Sequence, residues 1–215
     1  MKILVDFDDV LLNTNRFRKN YKKIYAAYGI DPEVFEQYYK KSVTYEKSIT
    51  VYDPEKHLKE IKRGENIKIS KLRKSIYNFA ENSKKYVFKD VKKFLAKFKK
   101  DDIIIITHSK SKFQKVKLKN SGLKKLVKKI IQTGKLKAYT VKKLATQKII
   151  KNGEAAYFLD DRVDQINEVK KINPSVITVL IRRREGRFQD KKTKFCDFEA
   201  KNLKEAYQII KQKCQ

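Results

Sequence analysis

The sequence predicts an α/β fold: a parallel sheet with a helical insert placed after its first strand. Two observations predict it. Short apolar runs recur along the chain and are continuous rather than alternating, as in strands buried on both faces of a parallel sheet. Between them lie stretches whose apolar residues keep helical spacing, so strand and helix alternate as in βαβ units. The 215 residues, 40% of them hydrophobic, suffice for one core plus an insert.

Ile3-Leu4-Val5 is the first strand, and it runs straight into Asp6, Asp8 and Asp9. Residues 15–87 then read as helices. Phe17, Tyr21, Ile24, Tyr25 and Tyr28 form one stripe, ended by Gly29. Asp31-Pro32 and Asp53-Pro54 each supply an N-cap followed by Pro at the first helical position, the second helix closing at Gly64. Ser70 caps a fourth helix carrying Leu72, Ile76 and Phe79. The span holds one weak strand-like run, residues 42–52.

Val91, Phe94, Leu95 and Phe98 follow the i, i+3, i+4, i+7 spacing of a helix returning to the core. Ile103 to Ile106 is the second strand, ended by Thr107. Phe113, Val116 and Leu118, then Leu123 and Leu126, suggest helical pieces. Val141, Leu144, Ala145 and Ile149 form a helix face before the third strand, residues 154–161, which ends in Asp160 and Asp161. Ile166, Val169 and Ile172 precede a fourth strand at 175–181. A short fifth strand is placed at 195–198, and Leu203, Ala206, Ile209 and Ile210 close the chain as a helix.

Fifty-four Lys and Arg against 25 Asp and Glu give a formal net charge of +29, which raises a nucleic-acid reading. The excess is mostly Lys, spread along the whole chain. Ile, Asn and Tyr are also plentiful and Trp is absent, the pattern of A/T-rich codons. The Arg-rich spot Arg182-Arg183-Arg184 with Arg187 is the better candidate for a specific anion contact. No apolar run approaches the ~18 residues of a membrane span. Cys196 and Cys214 lack metal-site spacing and read as free thiols, which places the protein in the cytoplasm.

Asp6 and Asp8 are two apart, so in extended chain they point the same way while Phe7 points opposite. They stand at the carboxyl end of the first strand, where open α/β sheets bind ligands. Thr107 and the pair Asp160, Asp161 end two further strands. On parallel neighbours these groups converge. Carboxylates packed together repel unless a cation intervenes, and Mg²⁺ suits few carboxylates plus phosphate oxygens and water. The residues therefore predict a Mg²⁺ site that receives a phosphate.

"ILVDFDDVLLNT" resembles the first motif of the haloacid dehalogenase superfamily, an apolar strand followed by Asp-x-Asp. "IIIITHS" is similar to its second motif and "AYFLDDRVDQI" to its fourth. The resemblance covers the chain outside the insert, and residues 122–134 and 202–210 sit where the family places helices. It implies a Rossmann-like core, residues 1–14 and 88–215, and a helical cap of the family's first class, residues 15–87. It implies a Mg-dependent phosphohydrolase acting through an aspartyl-phosphate on a small phosphorylated metabolite or nucleotide. Asp6 would be the nucleophile and Asp8 the proton carrier. The metal would be held by Asp6, the backbone carbonyl of Asp8, Asp160 and Asp161. Thr107 would bind a phosphoryl oxygen, and His108 could line the pocket.

The family's third motif is a Lys, and here Lys135, Lys137, Lys142, Lys143 and Lys148 are all in range. Lys137 shares the face of Val141 and Leu144 and is the choice among them. The position after Asp8, often Gly in this family, is Asp9, read as an exposed turn residue or an outer-shell contact of the metal. The halogen-cleaving members lack the second Asp, so Asp8 argues for phosphate chemistry. His57 is read as cap packing or surface. The rival reading keeps the fold and makes it a nucleic-acid-binding protein, acting on phosphate ends or not catalytic.

Overall fold

Strand β1 (Lys2–Val5) has all four residues buried, and the sheet is built outward from it. The computed structural model describes residues 1–46 and 49–213. After β1 come α1 (Thr14–Ala26), α2 (Pro32–Ser42), β2 (Val43–Glu46), β3 (Ile49–Tyr52), α3 (Pro54–Gly64), α4 (Ile69–Glu81) and α5 (Val91–Leu95). Then follow β4 (Ile103–His108), α6 (Lys112–Asn120), β5 (Lys129–Thr133), α7 (Lys137–Thr146), β6 (Ala156–Asp160), α8 (Val163–Ile172), β7 (Ile177–Ile181), β8 (Phe198–Ala200) and α9 (Leu203–Lys213). The main sheet is parallel throughout, in the order β5-β4-β1-β6-β7-β8.

The strands read as continuous apolar runs because both faces are covered. Ile3 and Val5 pack with Ile103, Ile105, Tyr157 and Leu159 on one face, beneath Val91 and Phe94 of α5, Phe113 and Leu118 of α6, and Leu203 and Ala206 of α9. Leu4 faces the other way with Ile104, Ile106 and Phe158, beneath Val141 and Leu144 of α7 and Ile166 and Val169 of α8. The insert belongs to the first of these clusters: Phe17, Tyr21, Tyr25, Phe35, Leu58, Leu72 and Ile76 are buried within it.

Several sequence expectations shift. Residues 122–134 are not helical. A 3-10 turn at Leu123–Leu126 leads into β5, where paired Ile130 and Ile131 make an edge strand half-buried along most of its length. β-Branched residues on a pleated surface account for this better than helical spacing. The fifth strand begins at Phe198 rather than at 195. The weak run in the insert forms an antiparallel hairpin, β2 with β3, so the insert is not wholly helical. Lys68, not Ser70, precedes α4, and Ser70 lies inside the helix. Asp31 makes no side-chain cap bond, whereas Asp53 accepts from the Glu55 N–H. Gly64 lets the Tyr38 hydroxyl come close: a Cβ there would lie 1.8 Å from it, so a larger residue would displace that ring. Cys196 is a buried free thiol, and Cys214 lies outside the described residues. Among the described residues no helix is long and apolar enough to cross a membrane.

Phe158 sits at the middle of the sheet with no exposed surface. Phe158→Ala is expected to cost about 3–5 kcal/mol, the transfer loss plus the cavity left behind. A lower urea midpoint with an unchanged m-value checks this.

Candidate active site

Adjacent strands β4, β1 and β6 bring their carboxyl ends to one place. Val5 pairs with Ile105 on one side and Leu159 on the other, and the Asp6 N–H donates to the Leu159 carbonyl at 2.9 Å. Asp6 therefore ends level with Asp160, the last residue of β6, and Thr107 stands buried near the end of β4. Asp6, Asp160 and Asp161, all buried, offer oxygens within 4.8 Å of one another.

Lys137 opens α7 and lies on its buried face with Ala138, Val141 and Leu144. Its Nζ is 2.7 Å from Asp160 Oδ2, a hydrogen bond, and 2.7 Å from Asp6 Oδ1, an ion pair. Burial alone would lower this ammonium, but Asp160 and Asp6 hold it charged, above its ordinary range. Lys135, Lys142, Lys143 and Lys148 are exposed.

Asp8 looks elsewhere. Its carboxylate accepts from Thr14 Oγ1 at 3.0 Å, Gln114 Nε2 at 2.8 Å and Lys117 Nζ at 2.7 Å. It is not among the clustered carboxylates. Burial pushes Asp8 up, but Lys117, Arg187 and Gln114 together override this and hold it down to about 2. For Asp6 burial wins. Against the pull of Lys137, and with Asp160 adding repulsion, Asp6 is raised to about 6. In the field of the chain's own groups the two carboxyls are thus pushed apart, with Asp8 the stronger acid.

Asp9 is not an exposed turn residue. It has no exposed surface, and its Oδ2 accepts from Arg187 Nε at 2.5 Å. Its φ of 58° is left-handed, which explains why glycine suits this position. Asp tolerates that conformation better than most residues, and here the chain gains the Arg187 tether. Burial raises Asp9 to about 6 despite Arg187. The Arg-rich spot therefore divides. Arg187 reaches the site, while Arg183 is buried and structural, donating to the Val10 carbonyl and to Asp90.

Thr107 Oγ1 accepts from Gln114 Nε2 at 3.2 Å. His108 Nε2 pairs with Gln165 Oε1 at 3.0 Å, and burial with Lys137 nearby lowers the ring to about 4, so it is neutral at pH 7. His57 packs against Tyr25 and Phe35 in the insert. Thr14, Gln114 and Lys117 are site residues that sequence reasoning passed over, and Arg187, named there only as an anion contact, reaches the site through Asp9. A signal existed for two of them: Gln114 and Lys117 fall at helical spacing beside Phe113 and Leu118, on the buried face of α6.

A cavity of about 270 Å³ opens at this edge. Its floor includes Asp6, Asp161, Thr107 and Lys137, and its walls include Tyr21, Tyr39 and Tyr52 from the insert. One floor oxygen, Asp161 Oδ2, is buried without a hydrogen-bond donor, and Asp6 Oδ1 has the Lys137 ammonium beside it. Such a donor set fits a hard divalent cation.

Fold and site together define an α/β protein of Rossmann-like topology with an acidic centre at the carboxyl edge of its sheet. Residues 3–179 match the haloacid dehalogenase-like hydrolase family. The chain belongs to that family. No curated protein matches it in sequence. Among solved structures it is similar to a haloacid dehalogenase-like hydrolase from Burkholderia xenovorans, with a TM-score of 0.72, 14% identity, and coverage of 99% of this chain and 97% of that one. L-2-haloacid dehalogenase from Xanthobacter autotrophicus gives a TM-score of 0.61 at 12% identity, covering 98% of each chain. The HAD-hydrolase YfnB from Bacillus subtilis, bound to magnesium, gives 0.58 at 15% identity, again covering 98% of each. At these identities the likeness speaks to the fold.

Asp6 and Asp9 carry folded values near 6 against an ordinary 3.8. Between those values these two carboxyls keep protons that the unfolded chain has lost, so their contribution to stability falls as pH rises from about 4 to about 6, while His57 and His108, each lowered to about 4, contribute with the opposite sign. Removing the Asp6 contribution isolates it: the urea midpoint of metal-free Asp6→Asn, relative to that of the unsubstituted protein, is expected to rise from about pH 4 to about pH 6.

Proposed function

We propose that the protein is a Mg²⁺-dependent phosphohydrolase acting on a small phosphorylated substrate. The observation that carries this reading is the charge of the floor. Asp6, Asp160 and Asp161 set three carboxylates against the single ammonium of Lys137. With all three ionised, two negative charges remain, which one divalent cation would cancel. Asp6, Asp160 and Asp161 would hold the ion, with the Asp8 backbone carbonyl. When bound, it neutralises the negative charge of a phosphoryl group brought against these carboxylates. Displacing halide from a haloacid needs no such ion, and the ionised Asp8 would repel both the substrate's carboxylate and the departing halide.

Asp6 is the nucleophile in this reading. Its carboxylate attacks phosphorus, the ester P–O bond breaks, and an aspartyl-phosphate forms. Thr107 donates to a phosphoryl oxygen, and neutral His108 lines the same pocket. Lys137 keeps Asp6 oriented and partly compensates the charge of the incoming group. Asp8 and Lys117, 2.7 Å apart, share the proton traffic. A leaving oxygen arriving at this pair meets a proton donor, and ionised Asp8 is then ready to take a proton from the hydrolytic water. Residues 15–87 act as the cap that closes over the pocket and excludes water.

Two measurements test this. Turnover of p-nitrophenyl phosphate should require added Mg²⁺, stop with chelator, and fall at least ~10³-fold in Asp6→Asn. Full activity in chelator, or in the Asn variant, would falsify the reading. For Lys117→Met, removing the ammonium leaves burial to raise Asp8, so the acid limb of the pH–rate profile should move to higher pH.

A further inference from the structure

A second cleft, of about 740 Å³, lies beyond the catalytic pocket and shares no lining residue with it. It is built at the carboxyl edge of the last two strands. Arg182 directly follows β7 and Lys201 directly follows β8, joined where the Arg182 N–H donates to the Ala200 carbonyl at 2.8 Å. Arg183, Arg184, Lys191 and Lys192 complete its cations.

The walls of this cleft are held by the protein. Arg183 is tied to Asp90 and to the Val10 carbonyl, and its guanidinium stacks 3.8 Å above the Phe88 ring. The turn beyond it closes through the Gly186 N–H to the Arg183 carbonyl at 2.9 Å. Arg183 thus anchors the loop and has its charge balanced by Asp90. The other five cations face Glu185 and Glu199, a surplus of three positive charges.

Arg182 points to a ligand independently of that surplus. Its side chain is 10% exposed, yet its Nη1 is buried with no hydrogen-bond partner. Its nearest carboxylate oxygen, on Glu199, is 3.7 Å from Nε, too far for a hydrogen bond. A buried guanidinium N–H left unbonded costs free energy, and an anion's oxygen would satisfy it.

We infer that this cleft binds a small polyphosphate anion, two or three linked phosphates, through Arg182, Arg184, Lys191, Lys192 and Lys201. The surplus matches such a charge. The lining includes no aromatic ring, so a nucleic-acid strand would find no platform on which to stack its bases. The cations gather in one cleft bounded by two carboxylates.

The test is calorimetric titration of the metal-free 215-residue protein with inorganic tripolyphosphate. One site is expected, weakened at least ~10-fold in Arg182→Gln and in the double variant Lys191→Ala, Lys192→Ala. It should be unchanged in Asp6→Asn and in Lys124→Ala, Lys125→Ala, which removes the same charge near the opposite edge of the sheet. Lys191 and Lys192 are exposed, so their variant carries the test if Arg182→Gln fails to fold. Equal weakening by the Lys124, Lys125 variant would reduce the effect to net charge and overturn the site. So would undiminished binding in the Lys191, Lys192 variant. Tighter binding of a short single-stranded oligonucleotide through these residues would overturn the ligand class.

Discussion

The ammonium of Lys137, set between Asp6 and Asp160, is the interaction on which the rest of the site depends. Two carboxylates at the ends of neighbouring strands cannot be buried together as bare charges. Lys137 resolves this from a third element, because the first turn of α7 points it back over the strands. Its reach requires Val141 and Leu144 to seat the helix on Ile104 and Phe158. The apolar face of α7 and the acidity of the sheet edge are therefore one design. One ammonium is set against three carboxyls, and Asp161, raised by burial and by its acidic neighbours, can keep its proton while the chain folds around them.

The same economy separates Asp6 from Asp8. They are two residues apart, yet one is raised and the other lowered. The difference lies in what faces each. Asp6 looks onto further carboxylates, whereas Asp8 looks onto Lys117, Gln114 and Thr14. A spacing of two in extended chain places both carboxylates toward one side, and it leaves their surroundings open. Apart from Thr14, those surroundings come from α6, α7, the end of β6 and the loop after β7, far away in sequence.

This marks how far the sequence could be read. β1, β4, β6 and β7 were legible because both of their faces are buried, so each shows as an unbroken apolar run. Their end residues came with them, which put Asp6, Thr107, Asp160 and Asp161 in one place on paper. β5 was hidden because Ile130 and Ile131 are too few to separate strand from helix, and lysines flank them. Lys137 could be singled out among its neighbours by spacing alone, since a helix's buried face is periodic. Lys117 carried the same periodic signal on α6, whereas Arg187 lies in a loop and stood out only through its Arg neighbours. In a chain with 54 basic residues, a loop Arg that reaches a buried carboxylate differs from a solvated one only through its tertiary partners. Asp9 misled for a related reason: an acid in a turn reads as exposed until a distant Arg is known to cover it.

Phe113 belongs to α6 of the core, but Phe17, Tyr21 and Tyr77 of the insert all place their rings within about 6 Å of it. The insert and core therefore meet along an aromatic seam as well as through the connecting chain. An insert that swings aside must slide three rings across one, exchanging edge contacts as it goes. Tyr21 is at once a wall of the cavity and a partner of Phe113, so the shape of that wall is set by a ring of the core.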